Sequence, residues 1–288
     1  MKKLDDNTLG RLKLNILRGI VYAILIFLCF LCLFFFYLMV INATRSNAQL
    51  ATGFTLLPKE HFFDNLVNAW NDASINIPRG MLNSLIVALS TAVLTTYFSA
   101  LTAYGIHAYD FKGKRLAFTF IMAVMMIPPQ VSALGFVQVM NKLHLNNNYI
   151  PLIVPGIAAP VVFFYMKQYM ESVLPLDLVD AARIDGSGEF HTFNTIVLPI
   201  LKPAIAVQMI FSFVSSWNNY FIPALLLDKA EMKTVPIMIA QLRSADYSKF
   251  DMGKVYMFIL LAILPVLITY ILLSKSIIKG VTAGSVKG

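Results

Sequence analysis

Six apolar stretches without a single Asp, Glu, Lys or Arg divide this chain. They are Gly19–Ile41, a window within Met81–His107, Leu116–Asn141, about Tyr149–Met166, a window within Pro203–Leu227 and a window within Val255–Ser274. About 20 apolar residues cross a hydrocarbon core of about 30 Å. Only helices and closed barrels span lipid, and these stretches lack the alternation of barrel strands. We therefore predict an all-α integral membrane protein with six transmembrane helices.

The composition supports a membrane protein over a soluble one. Of the 288 residues, 58% are hydrophobic and 13% are charged, whereas soluble domains are about 25% charged. The net charge of +8 lies mainly between the apolar stretches and without a basic stripe bearing interleaved aromatics. The basic residues are thus predicted to meet membrane lipid rather than nucleic acid.

The distribution of Lys and Arg predicts the orientation. With six spans both termini share one side, and that side carries 14 of the 23 basic residues. Five of them precede the first span, where they influence orientation most. We predict a plasma-membrane protein with a cytoplasmic N-terminus (1–18), a six-span domain (19–274) and a cytoplasmic tail (275–288).

The first outer loop, Asn42–Gly80, contains a half-apolar stretch from Leu56 to Trp70. Two interpretations are open for it. It forms a helix lying on the membrane surface, or it belongs to a docking surface for an external partner.

A compact helix–turn–helix is predicted in the cytoplasmic segment 171–199, between the fourth and fifth spans. Pro175 suits the first turn of a helix, and Gly186 suits its left-handed end. A second short helix is expected over about Glu189–Val197. Ala181 and Ala182 give the first helix a slim face for close approach by another protein. Periodicity alone equally allows an ordinary loop with an amphipathic helix.

The residue spacing in this segment resembles the EAA loop of ABC-importer permeases. The family pattern is E-A-A, three residues, G, nine residues, then I-x-L-P. Every spacing fits, with one departure, Asp in place of Glu at the first position. The matching residues are Asp180, Ala181, Ala182, Gly186, Ile196, Leu198 and Pro199.

The resemblance extends over nearly the whole chain, to the shorter permease of the carbohydrate-uptake (maltose and multiple-sugar) branch. It implies a protein of the bacterial plasma membrane with the type I importer fold and a cytoplasmic EAA coupling helix. It also implies an ATPase-coupling set: Asp180, Ala181, Ala182, Arg183, Asp185, Gly186, Ile196, Leu198 and Pro199. The C-terminus, residues 280–288, fits the family's terminal pattern Gly-x-Thr-x-Gly-x-Val-Lys-Gly. This resemblance implies a tail that reaches the ATPase through Gly284, Val286, Lys287 and Gly288.

The same resemblance implies the partners. They are a second homologous permease, a dimer of ATPase subunits, an extracellular solute-binding protein and a carbohydrate substrate. The chain has no G-x-x-x-x-G-K-[ST] motif, so Mg-ATP is expected in the partner ATPase and no cofactor on this chain. No catalytic or metal-binding residue is predicted, because the four histidines are scattered and no hydrolase motif occurs.

Two features inside the spans are candidates for a translocation path or gate. Pro128 and Pro129 interrupt the third span and predict a kink or break. Two interpretations of this break are open: a hinge or gate, or a static kink. In the fifth span Trp217, Asn218, Asn219 and Tyr220 suit a sugar-lined path, and they equally suit helix–helix contacts.

An ion-coupled carrier or channel is the main alternative function. Such proteins usually carry ionisable residues within the membrane. The six apolar stretches contain none except His107 near one edge, so the importer subunit is favoured.

Overall fold

The computed structural model describes residues 6–244 and 251–285, and every regular element in those ranges is helical. The α-helices are α1 Asp6–Ala43, α2 Asn47–Ala51, α3 Phe62–Trp70, α4 Ile77–Ala108, α5 Lys114–Met125, α6 Pro129–Lys142, α7 Ile150–Ile153, α8 Pro160–Val173, α9 Leu176–Ile184, α10 Glu189–Thr192, α11 Leu198–Ile200, α12 Lys202–Trp217, α13 Phe221–Leu226, α14 Val235–Ser244 and α15 Met252–Ser285. Val154–Ile157 and Ala230–Met232 are 3₁₀ segments, and Phe193–Val197 is π-helical. The predicted all-α class is confirmed.

Four segments in the described ranges are long and apolar enough to cross a bilayer unaided. They are Lys13–Ala43, Ile77–Ala108, Ile150–Val173 and Met252–Leu272. Two further pairs meet the same test only together, and each is sharply bent: α5 with α6 by 97°, and Glu189–Ile200 with α12 by 83°. Counting each bent pair as one span gives the predicted number of six. However, Glu189–Ile200 in the second pair overlaps the segment 171–199 that was predicted to be cytoplasmic, so only α12 of that pair lies in a predicted apolar stretch.

The break predicted at the two prolines of the third span is present. The α5 helix ends at Met125, Pro128 adopts an extended conformation, and Pro129 begins α6. Proline has no N–H to continue the ladder of hydrogen bonds, and it disfavours helical geometry in the residue before it. The bend of 97° between α5 and α6 follows from these two constraints.

The fifth apolar stretch is not one continuous helix, contrary to the prediction. Its first helix, α12, ends at Trp217 with Asn218 as its C-cap, and α13 begins at Phe221. Asn218 and Asn219 favour caps and turns because their side chains compete for backbone hydrogen bonds. The prediction relied on the absence of charged residues, and the two asparagines are uncharged, so it did not detect this interruption.

The described residues form two compact units, and α15 contributes to both. The second unit, from Asp72 onward with α15 from Ala262, is organised by α4, which packs against α8 and α12. Its buried face is built of small residues: Ala88, Ala92, Ser99, Ala100 and Ala103. Such residues let helix backbones approach closely where lipid supplies no hydrophobic drive for association.

The first unit reaches Asn71 and includes α15 as far as Leu261. In it, α3 confirms the helix expected in the outer loop. Phe63, Val67 and Trp70 share one exposed apolar face at helical spacing. This face suits both earlier interpretations, a membrane surface and an external partner.

Gly253, at the start of α15, allows this helix to lie very close to Arg45 and Asn65. A Cβ on Gly253 would lie 2.7 Å from the Arg45 carbonyl oxygen and 2.7 Å from Asn65 Oδ1. The Asn65 amide is itself held, because it donates to the carbonyls of Ala43 (2.8 Å) and Arg45 (2.9 Å). Neither neighbour has room to move without breaking these hydrogen bonds.

We therefore expect Gly253→Ala to destabilise the protein by about 1–3 kcal/mol, the range for overpacking. Thermal unfolding of the purified chain in mild detergent measures this as a lowered midpoint. Gly19→Ala is the matched control, because a Cβ at Gly19 meets nothing within 4 Å. Equal midpoints for the two variants would contradict the packing described.

Candidate functional site

The EAA loop (residues 171–199) folds as the predicted helix–turn–helix. The α9 helix starts after Pro175 as N-cap and ends at Ile184 with Asp185 as C-cap. Gly186 then has φ +79°, a left-handed conformation that favours glycine. The second arm runs from Glu189 to Ile200 through α10, the π-helical segment and α11.

This loop is packed into the core of the second unit. Val179, Phe193 and Val197 are fully buried there against α4 and α8. The Phe193 ring centroid lies 5.6 Å from that of Tyr97 and 5.6 Å from that of Tyr104, both on α4. Close-packed interiors transmit strain, so a displacement of the loop would act directly on α4.

A cluster of charged and aromatic groups ties the two arms of the loop to the end of α4. Arg183 pairs with Asp180 and with Glu189, each at 3.0 Å, and its guanidinium lies 5.0 Å from the Tyr109 ring centroid. The Tyr104 hydroxyl donates to the second Glu189 oxygen at 3.2 Å. Hydrogen bonding to Tyr109, and then to Arg183, holds the pKa of the Glu189 carboxyl below its ordinary value.

The outer face of the loop exposes large apolar side chains. Ile184 is 87% exposed and Phe190 is 71% exposed, while Leu178 and Ala181 are also exposed on α9. Charged residues would be the usual choice for a solvated loop. An exposed apolar patch of this kind marks an interaction surface, for another protein or for membrane.

One detail of the predicted coupling set is corrected. Ala182 is only 6% exposed and shares the inner face of α9 with Val179, three residues earlier, so it does not belong to a free slim face. An Ala182→Asp change would bury a charge and damage the loop itself, in addition to any docking surface. The Asp180 carboxylate points along the loop to Arg183.

The remaining predicted coupling residues lie at the ends of the elements. Ile196, Leu198 and Pro199 occupy the last turns before the chain bends by 83° into α12. In the tail, Gly284 lies in α15, which ends at Ser285. Val286, Lys287 and Gly288 lie outside the described residues.

A groove of about 730 Å³ lies between α4, α8 and α12, and we call it the polar groove. Its polar and aromatic lining is Thr91, Thr95, Tyr165, Gln208, Phe211, Ser212, Ser215, Ser216 and Asn219, and the apolar residues Leu152, Ala159, Val161, Val162 and Val207 complete it. The Ser212 hydroxyl is buried and has no hydrogen-bond partner among the described residues. The groove therefore combines unfilled hydrogen-bonding capacity with aromatic faces.

Of the residues predicted for the path, one lines this groove, Asn219. Trp217 is 3% exposed, stacks on Phe213 and donates its indole N–H to the Ala262 carbonyl at 3.1 Å. It therefore serves helix packing, the second of the two interpretations. Asn218 and Tyr220 are exposed outside the groove.

Sequence reasoning missed most of the groove lining, although a signal was present. Gln208, Ser212 and Ser215 recur at helical spacing along one face of α12, and Asn219 continues this spacing just beyond the end of the helix. Thr91 and Thr95 are four residues apart on α4. Polar periodicity within an apolar stretch would have identified both faces.

Comparisons with known proteins agree with this architecture. Residues 96–275 match the family described as binding-protein-dependent transport system inner membrane component. The arabinooligosaccharides transport system permease protein AraQ of Bacillus subtilis (strain 168) is 38% identical over 80% of this chain and 81% of its own. The trehalose/maltose transport system permease protein MalG of Thermococcus litoralis is 29% identical over 91% of this chain and 94% of its own.

A solved structure establishes the shared fold. It is a crystal structure of a bacterial ABC transporter involved in the import of the acidic polysaccharide alginate, with a TM-score of 0.78 and 21% identity. The match covers 90% of this chain and 96% of that one. The chain belongs to the family of binding-protein-dependent transport system inner membrane components, the multi-pass permease subunits of ABC importers, which are transport components rather than enzymes.

Proposed function

We propose that this chain and a second permease together form the membrane path for a sugar or oligosaccharide that an extracellular solute-binding protein delivers. The polar groove carries the proposal. Its hydroxyl and amide groups match the hydroxyls of a sugar, and Tyr165 and Phe211 offer faces for stacking. Several relatives are named for oligosaccharide transport, which supports the same substrate class.

The outer face of the EAA loop is proposed as the docking surface for a separate ATPase. Ile184 and Phe190 would enter an apolar cleft on that partner, with Leu178 and Ala181 beside them. Mg-ATP would be bound and hydrolysed entirely in the partner. The C-terminal residues from Gly284 onward are proposed to reach the same ATPase, with both termini in the cytoplasm.

The α4 helix connects the two sites. It carries Tyr104, which packs on the EAA loop, and Thr95, which lines the polar groove. Nine residues separate them, or about 14 Å along a helix rising 1.5 Å per residue. Movement of the loop on ATP binding would thus displace one wall of the groove as a rigid body.

One substitution tests the groove directly. Gln208 is 8% exposed and lines the groove. Gln208→Leu therefore removes an amide group that could hydrogen-bond to a sugar, with little change in the shape of the side chain. We expect uptake of the sugar to fall about tenfold or more, because a buried polar contact to substrate is lost. Gln168→Leu makes the same change on α8 away from the groove and is expected to retain uptake.

The proposed function is tested by purifying the chain in mild detergent with the proteins that accompany it. The preparation is placed in vesicles with ATP inside and a panel of labelled arabino- and malto-oligosaccharides outside, each with the binding protein from the same source. We expect ATP-dependent accumulation of one class. Accumulation driven by an ion gradient without ATP would contradict the proposal and favour a secondary carrier.

A further inference from the structure

A second cavity lies at the C-terminal end of α4, beside the first turn of α5 and Lys167 of α8. We call this cavity of about 530 Å³ the basic pocket. Its lining is Ile106, Asp110, Phe111, Gly113, Lys114, Arg115, Phe118 and Lys167. None of these residues belongs to the coupling set or to the polar groove.

The charges in the basic pocket are unbalanced. Lys167 is largely buried, forms an ion pair with Glu171 and lies 4.8 Å from the Phe118 ring centroid. Lys114 and Arg115 have no ion-pair partner within the described residues. The charges of Lys167 and Glu171 cancel each other. Of the remaining charged groups in the lining, Lys114 and Arg115 are positive and Asp110 is negative, so the pocket has a net charge of +1.

The backbone favours an anion at the same place. The α5 helix begins at Lys114, after Gly113 with φ +93°, and no side chain caps its first turn. The unsatisfied N–H groups and the helix dipole both attract negative charge. Backbone and side chains thus point to one monovalent anion.

The apolar part of the pocket lining identifies the source of that anion. It consists of Ile106, Phe111 and Phe118, and Phe111 is 45% exposed. The α5 helix is half of a candidate span, and the pocket lies at its first turn. A ligand that meets both the charged and the apolar lining must have an anionic head and apolar chains.

We propose that the basic pocket binds the phosphodiester headgroup of an anionic glycerophospholipid. One phosphodiester neutralises the net charge, and Lys114 and Arg115 donate to its oxygens. Asp110 accepts from the headgroup hydroxyls, which favours phosphatidylglycerol over a headgroup without hydroxyls. Basic pockets between membrane helices are suited to such headgroups.

Native mass spectrometry of the full chain, purified in mild detergent with its accompanying subunits, tests the proposal. We expect one phosphatidylglycerol to be retained, and phosphatidylcholine with the same acyl chains to be lost. Lys114→Gln and Arg115→Gln should each weaken retention about fivefold. Lys112→Gln is the matched control: this exposed lysine lies outside the pocket and should change retention less than about twofold.

Lys114→Arg keeps the charge and should keep the lipid, which separates loss of binding from loss of fold. Equal weakening by Lys112→Gln and Arg115→Gln would overturn the pocket in favour of diffuse surface charge. Displacement of the lipid by millimolar inorganic phosphate would show a small-anion site instead. Capture of a partner subunit at this surface, with no lipid retained, would equally overturn the proposal.

Discussion

Phe193→Ala is expected to release the EAA loop from the membrane core and abolish transport. The ring is fully buried between Tyr97 and Tyr104, so its removal leaves a cavity that costs about 3–5 kcal/mol. Thermal unfolding in detergent should show a lowered midpoint. Limited trypsin digestion should show faster cleavage at Arg183, which lies in the loosened loop. ATP-dependent uptake should fall to background.

Phe190→Ala provides the matched control for this experiment. It removes the same side chain three residues earlier, but from a position that is 71% exposed. We expect an unchanged midpoint and unchanged cleavage, together with weaker retention of the ATPase. If Phe193→Ala kept both the midpoint and uptake of the unmodified protein, the rigid connection between loop and α4 would be wrong.

Ile184→Asp is expected to detach the ATPase while the permease itself stays folded. Ile184 is 87% exposed, so the folded chain tolerates a carboxylate there. In the proposed interface the same carboxylate would be desolvated without a partner, and the isoleucine contact would be lost. A central contact of this kind is worth about 2 kcal/mol or more, which is about 30-fold in affinity.

Retention of the ATPase through affinity purification measures this effect. Leu57→Asp makes the same type of change at a 70% exposed site in the outer loop and should retain the ATPase. A chain with Ile184→Asp that keeps its ATPase and its uptake would place the docking surface elsewhere.

Much of the fold was predictable because backbone constraints act locally. Pro128 and Pro129 break the third span, since neither supplies an N–H. Gly186 ends α9, since few other residues adopt its left-handed conformation. In the same way, four of the six apolar stretches coincide with helices long and apolar enough to span a bilayer, because lipid excludes charge from a span.

The orientation of side chains was less predictable, because it depends on distant neighbours. Ala182 is small whether it faces solvent or the core, and only the folded structure shows that it is buried on the same face as Val179, which packs with residues of α4 and α8. Trp217 suits both a sugar path and a helix contact, and the carbonyl of Ala262, 45 residues away, selects the second. The polar face of α12 could have been predicted from the helical spacing of its polar residues. It was overlooked because the surrounding residues are apolar and the stretch was interpreted only as a span.

The central claim is that the outer face of the EAA loop contacts the ATPase. A photo-crosslinking amino acid in place of Ile184, irradiated in native membranes, tests it most directly, with the same probe in place of Leu57 for comparison. The account predicts a product at position 184 that contains a subunit with a G-x-x-x-x-G-K-[ST] motif, and none of it at position 57. Products at position 184 that contain only this chain or lipid would contradict the account.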